Sequence, residues 1–379
     1  MSSQQEFKQR DRLPARPAIA HAPTQVLFAN AHPSMSHVSA DFIPVFGECI
    51  RMTREVLFSK DAQPFLIAGS GTLGWDQVSA NLVEPGENVL VLHSGYFGDS
   101  FAECRPVKAP IGAAVTQEEI EKALKAKKYK VLTFTHVDTS TGVLSDAKAI
   151  GETVKRVSPD TLVVLDGVCA VASEEIRMDD WGIDVVLTAS QKGLGTPPGL
   201  SILVASQKAI KVTDARCTRL TTIADPASPR PRWLPVMNAY EKGSPAYFAT
   251  PPVNLIYAFH ASLSTITRGS VSLEERFAAH RKASARMKEA VTAMGLKQLP
   301  LDPAFAANGM TAVYYPEGFG AANTLAPLAQ KGIVAAGGLH KDIKDTYFRI
   351  GHMGITVVDP SRGDMDHVID SLKAVFGKQ

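Results

Sequence analysis

Five short stretches of this sequence carry groups that can act on a small molecule, and each follows an apolar run. Lys192 stands in Ser190-Gln191-Lys192-Gly193, directly after Val185-Val186-Leu187-Thr188-Ala189. An amine in that position is either a nucleophile or a surface lysine whose stem snorkels along the strand. Asp166 closes Leu162-Val163-Val164-Leu165, where a carboxylate either holds a cation or forms a turn. Ser70, Gly71 and Thr72, within Gly69-Ser70-Gly71-Thr72-Leu73-Gly74, combine short hydroxyls with accessible backbone N–H groups, as in an anion cradle at a helix N-terminus. Phe97, in Gly95-Tyr96-Phe97-Gly98, offers a ring that stacks on a planar ligand or simply packs. Thr139-Ser140-Thr141-Gly142 makes a hydrogen-bonding loop.

The elements that must position these groups are visible in the pattern. Apolar runs at 64–68, 88–94, 129–135, 162–166 and 185–189 read as strands of the kind buried on both faces. Helical spacing covers 42–58, the stretch after the glycine turn to about 82, 116–127 and 146–157. Strand alternates with helix, so the expected fold class is α/β with a mostly parallel sheet, and the five stretches share its C-terminal edge. From Lys211 to Tyr247 the chain holds Pro226, Pro229, Pro231, Pro235 and Pro245 and is expected to be a long loop. Residues 252–295 read as one long or two consecutive helices broken near Gly269, with His260 and His280 on their surface. The remainder alternates strand and helix as a small α/β domain, with Arg349 on a strand and 364–376 as a closing helix. The expected organisation is an arm over 1–25, a large domain over 26–255 and a small domain over 256–379.

A pyridoxal 5′-phosphate site needs these groups as a set. Its phosphate needs amides and hydroxyls. Its ring needs a stacking face, and its ring nitrogen an anion that keeps it protonated and makes the ring an electron sink. Its aldehyde needs a lysine. Gly69, Gly71 and Gly74 also match the GxGxxG dinucleotide fingerprint. That reading wants an acid at the end of the next strand, and Asn88-Val89-Leu90-Val91-Leu92-His93-Ser94 ends without one.

From about Gln25 onward the sequence resembles the class V, fold type I pyridoxal-phosphate aminotransferases, and among them the alanine–glyoxylate (serine–pyruvate) aminotransferase family. The resemblance is carried by Gly69-Ser-Gly-Thr72, Ser140-Thr-Gly-Val143, Asp166-Gly-Val168, Ser190-Gln-Lys192 with Pro197-Pro198-Gly199-Leu200, Tyr247-Phe-Ala-Thr-Pro-Pro252 and Tyr347-Phe-Arg-Ile-Gly351. It implies Lys192 as the Schiff-base lysine and proton carrier, and Asp166 as the pyridinium partner. Ser70, Gly71, Thr72 and Gln191 would hold the phosphate, Phe97 would stack on the ring, and Thr139 would sit near the ring oxygen. Arg349 would be the fork for the substrate α-carboxylate, a geometry lysine copies poorly. Tyr247 and Thr250 would complete the phosphate site of the other subunit of a homodimer. The implied reaction is transamination of glyoxylate to glycine with L-alanine or L-serine as donor, so the partners are amino acid and 2-oxo acid substrates.

Two departures from the family stand out. A Pro-Gly-Pro-type turn near the N-terminus is replaced by Ala22-Pro23-Thr24, and about ten residues, a helix end and a strand, are missing between Cys104 and Ala109. An impaired family member is therefore one alternative. A class V lyase or desulfurase is another, but it needs a mobile reactive cysteine, and no cysteine here sits in a glycine-rich loop near the lysine.

Composition bounds the remaining options. The 379 residues are 45% hydrophobic and 21% charged, with formal net charge +2, which points to neither nucleic acid nor a membrane surface. Cys49, Cys104, Cys169 and Cys217 are scattered without a CxxC pair. That pattern fits a reducing, intracellular compartment without a zinc site or disulfide framework. No apolar run reaches the roughly 18–20 residues of a membrane span. The chain ends Gly-Lys-Gln rather than Ser-Lys-Leu, and peroxisomal or mitochondrial placement stays open.

Overall fold

The computed structural model describes residues 16–17, 22–99, 105–219, 233–247 and 249–377. Among them a seven-stranded sheet forms the centre. Its strands are β1 (Gln63–Ala68), β2 (Val89–His93), β3 (Arg105–Lys108), β4 (Val131–Thr135), β5 (Leu162–Asp166), β6 (Val185–Ala189) and β7 (Leu200–Ala205), in the order β1-β7-β6-β5-β4-β2-β3. Every pairing is parallel except the two that β7 makes, with β1 and β6. The α/β, mostly parallel expectation is met.

The sequence accounts for this sheet through its doubly apolar strands. Val163, Leu165 and Val186 face one layer of core, with Phe42, Phe46 and Ile50 of α2 (Phe42–Val56), which follows α1 (Thr24–Asn30), and Phe259 and Leu263 of a later helix. Val164, Leu187 and Leu203 face the other, with Val78 and Leu82 of α3 (Leu73–Leu82). Each such side chain, fully buried, contributes on the order of 1.5–3 kcal/mol. Polar caps set the helix starts between the strands. Thr116 and Glu119 form a capping box at α4 (Gln117–Ala126), and Asp146 accepts from Ala149 N–H at α5 (Ala147–Val157).

Two expectations are corrected here. The supposed loop after Lys211 contains α6 (Gln207–Arg219) and α7 (Trp233–Glu241). Pro235 lies in the first turn of α7, where its missing N–H costs nothing. Pro226, Pro229 and Pro231 lie outside the described residues. Further, the strand counted as missing after Cys104 is present as β3, beside β2 with Leu90 opposite Arg105. Pro106 is tolerated because β3 is an edge strand. Cys104 itself lies outside the described residues.

The helices at 252–295 are two, α8 (Val253–Arg268) and α9 (Leu273–Ala293). Ile256, Phe259, Leu263 and Ile266 of α8 lie in the large core, whereas Met287 and Val291 of α9 join a second cluster with Val313, Phe348, Ile350 and Leu372. That second cluster covers a three-stranded antiparallel sheet of β8 (Met310–Tyr314), β9 (Ala336–Gly337) and β10 (Tyr347–Gly351). Helices α10 (Ala321–Gln330) and α11 (Asp364–Phe376) pack on it. His280 is fully buried, contrary to the surface expectation, because it lies on the buried face of α9 with Arg276, Phe277 and Ser284. His260 remains partly exposed and pairs with Glu48. No helix of the described residues is long and apolar enough to cross a membrane.

Candidate active site

The C-terminal ends of β1, β2, β4, β5 and β6 bring the chemical groups to one edge. Asp166 pairs in register with Thr135 on one side and Leu187 on the other. The loop after β6 therefore leaves beside the carboxylate, and Lys192, half-buried, stands in it. Asp166 is buried. Its Oδ2 accepts from Trp75 Nε1 at 3.0 Å and its Oδ1 from Val168 N–H at 3.0 Å. Burial pushes its pKa up to about 7, against the two hydrogen bonds, with the Asp138 charge adding to the rise. No cation pairs with it among the described residues.

The cradle lies at the start of α3. Ser70 Oγ and Thr72 Oγ1 are 2.6 Å apart. Gly71 sits so close beneath them that a Cβ would come within 2.9 Å of Val168 and 3.2 Å of Ala189. The cradle is thus seated against the loop after Asp166 and the strand before Lys192, which only glycine permits. Gln191 is half-buried beside Lys192. Phe97 is also half-buried, and its ring meets Trp75 at 5.9 Å and 62°.

The three-stranded antiparallel sheet meets this edge from the other side, through Arg349 and Tyr347 of β10. Arg349 donates from Nε to Gly337 O at 2.8 Å and from Nη1 to the Thr139 carbonyl at 3.0 Å. Burial lowers its pKa, so an anion that restores charge balance is welcome there. The Tyr347 hydroxyl donates to Ser140 O and accepts from the N–H groups of Leu339 and His340. Asp138 accepts from Ser140 N–H at 2.8 Å and Ser140 Oγ at 2.6 Å. Burial raises its pKa as well.

Three residues here were not singled out in the sequence: Trp75, Asp138 and Cys169. The one signal for Trp75 was an aromatic in the first turn after the cradle. Cys169 stands near the lysine, although not in a glycine-rich loop. It is buried, its Sγ lies 3.9 Å from Met310 Sδ, and Lys192 is near enough for its charge to act on the thiol. Burial nevertheless raises the thiol pKa, so the group is a packed, protonated side chain rather than the mobile thiolate a desulfurase needs. Tyr247 and Thr250 are exposed residues, Tyr247 at 88% with its ring 5.4 Å from that of His37.

The family profile described as Aminotransferase class-V matches residues 24–344. The chain is a class V aminotransferase. Among its relatives, alanine–glyoxylate aminotransferase 1 of Saccharomyces cerevisiae is 40% identical over 366 residues, covering 92% of this chain and 93% of that protein. L-aspartate–glyoxylate aminotransferase of Paracoccus denitrificans is 31% identical over 351 residues, with 89% and 85% covered. Among solved structures, alanine–glyoxylate aminotransferase from Nostoc sp. superposes with a TM-score of 0.83 at 26% identity, covering 98% of each chain. These matches favour an aminotransferase over a lyase or desulfurase.

The cofactor of this class V aminotransferase is pyridoxal 5′-phosphate, and the residues present fit it. A buried carboxylate without a cationic partner suits a protonated ring nitrogen, and the Ser70–Thr72 cradle suits a phosphate.

Proposed function

We propose that this aminotransferase moves the amino group of L-alanine to glyoxylate, giving pyruvate and glycine, with L-serine as the alternative donor. The observation that carries this reading is one sheet edge shared by an amine, a buried unpaired carboxylate and a half-buried guanidinium, at Lys192, Asp166 and Arg349. The names of the relatives supply glyoxylate as acceptor. In this reading Ser70, Gly71, Thr72 and Gln191 bind the phosphate, and Phe97 and Trp75 flank the ring. Thr139 lies near the ring oxygen, and Asp166 keeps the ring nitrogen protonated. When bound, the cofactor supplies the electron sink that makes the substrate Cα acidic. Lys192 Nζ anchors the cofactor at rest, then takes the proton from Cα of the donor and returns one to the acceptor. Arg349 orients both substrates through the carboxylate they share.

Steady-state assays with a panel of amino donors against glyoxylate test the reading, and Arg349→Lys sharpens it. Glycine should form with alanine as a leading donor. The lysine variant should retain the cofactor while KM rises for both alanine and glyoxylate. The penalty is about 2–4 kcal/mol, the worth of a charged, partly buried hydrogen-bonded pair. Unchanged kinetics for both substrates would remove Arg349 from the site.

We propose a homodimer whose subunits share their sites. Tyr247, Phe28 at 61% exposure and Leu27 at 53% leave large apolar groups on the surface of the single chain. Mixing Lys192→Ala subunits with Tyr247→Phe/Thr250→Ala subunits should restore part of the activity, since each hybrid keeps one intact site. Verified heterodimers that stay inactive would count against sharing. Given the packing of α8 on the large core, we also place the start of the small domain within α9 rather than at residue 256.

A further inference from the structure

The backbone that carries Lys192 is held by side chains outside the residues assigned so far. Three successive carbonyls each have a donor. Gly195 N–H reaches that of Lys192 at 2.8 Å, Arg276 Nη2 that of Gly193 at 2.8 Å, and Ser262 Oγ that of Leu194. The same guanidinium donates from Nε to the Ala172 carbonyl at 2.7 Å, in the loop that follows Asp166. The two loops touch directly, since a Cβ on Gly193 would come within 2.4 Å of the Val171 carbonyl. Ala172 holds φ 64, a left-handed conformation that an alanine keeps only where its surroundings fix it.

Arg276 is a costly way to make two hydrogen bonds. It is 7% exposed, and among the described residues no carboxylate pairs with it. A buried cation held only by carbonyls is unfavourable for stability unless its geometry does something else. One turn along α9, His280 Nδ1 donates to the Arg276 carbonyl at 2.7 Å, and its Nε2 accepts from Gly354 N–H at 3.0 Å. Gly354 lies just beyond β10, the strand of Arg349. Burial lowers the His280 pKa to about 3, so the ring stays neutral and keeps one donor and one acceptor.

We infer that Arg276 is the positioning residue for Lys192: its planar fork fixes the lysine loop against the Asp166 loop, while His280 on the next turn ties the exit of the Arg349 strand to the same helix. α9 thus sets the relative placement of the amine, the carboxylate and the fork. A lysine at 276 would keep the charge but hold at most one of the two carbonyls well. The inference rests on Lys192 being the reacting amine.

Hydrogen exchange in the full-length, cofactor-free protein tests the tether without any turnover. Arg276→Met should speed exchange in peptides covering 167–174 and 190–196 by roughly ten- to a hundredfold, leaving 42–56 and 162–166 unchanged. Arg276→Lys should protect one of the two peptides at most. Ser262→Ala should loosen 190–196 alone and keeps the test available where Arg276→Met does not fold. In the loaded enzyme Arg276→Lys should lower kcat about ten- to a hundredfold with KM for glyoxylate within about threefold, because Arg349 is untouched. Uniform acceleration across the chain, unchanged exchange in both peptides, or an Arg276→Lys protein equal to the parent would overturn the inference. Borohydride fixation of the cofactor on a lysine other than Lys192 would overturn the amine assignment itself, whatever the exchange shows.

Discussion

Lys192→Ala is expected to abolish transamination, by at least about 10⁴-fold, since on the proposed reading one amine would serve both as covalent anchor and as proton carrier. The fold should survive the change. The carbonyls of residues 192, 193 and 194 are bonded through Gly195 N–H, Arg276 and Ser262, so the loop does not depend on the lysine side chain. A loss of less than about 1 kcal/mol in unfolding free energy is the expected cost for a half-buried side chain without a hydrogen-bond or ion-pair partner among the described residues. Borohydride reduction of the coloured parent protein should fix the cofactor on the peptide containing Lys192, and the alanine variant should take up no label there. Lys208 is the informative control. Its ammonium is bound to the Pro159 and Thr161 carbonyls at 2.9 and 3.1 Å and pairs with Asp184. Asp184 precedes β6, so Lys208 sits at the opposite end of the sheet. A label on Lys208, or turnover within tenfold of the parent in the alanine variant, would remove Lys192 from the chemistry.

The strands were legible because burial on both faces leaves no room for polar alternation, so 162–166 and 185–189 could be read as central strands without knowing their neighbours. The groups at their ends were legible for the same reason: a charged residue that ends such a run must leave the core at the sheet edge. Arg276 and His280 were not. The buried face of α9 comprises Arg276, Phe277, His280, Ser284, Met287 and Val291. Half of it is polar, so its periodicity resembles a solvated helix. Only the carbonyls brought from distant loops reveal that the polar members are satisfied inside. β3 was hidden for a different reason: Pro106 argues against a strand until the strand is known to lie at an edge. Helix α7 in the proline-rich stretch was hidden because a proline in a first helical turn looks, in sequence, like one in a loop.

Asp166→Asn is expected to act in opposite directions on the cofactor-free and loaded protein. Without cofactor, Asp166 has a folded pKa raised by burial to about 7, against an unfolded value near ~3.9. The folded state therefore binds more protons than the unfolded state between these values. Its contribution is fully present below about pH 4 and is lost as pH rises to about 7, at a slope of up to about 1.4 kcal/mol per pH unit. Asn carries no titratable proton, so the variant should lose one proton's worth of that slope. Asp138, whose pKa burial also raises, leaves a remainder in the same direction. The amide also sets a donor against either Trp75 Nε1 or Val168 N–H, which shifts stability by a constant of about 1–3 kcal/mol without tilting the curve. On the proposed reading the loaded parent should behave differently, because a protonated ring nitrogen would pair with the carboxylate, hold it ionised and cancel the falling slope. Asn cannot hold that proton. The variant should bind the cofactor more weakly and turn over at least about a hundredfold more slowly. Chemical denaturation of both forms at pH 5, 6 and 7, with cofactor titration at each, reads all of these effects. An apoprotein slope identical in parent and variant would mean that Asp166 is ionised before the cofactor arrives, and a variant with undiminished turnover would separate the carboxylate from the ring nitrogen altogether.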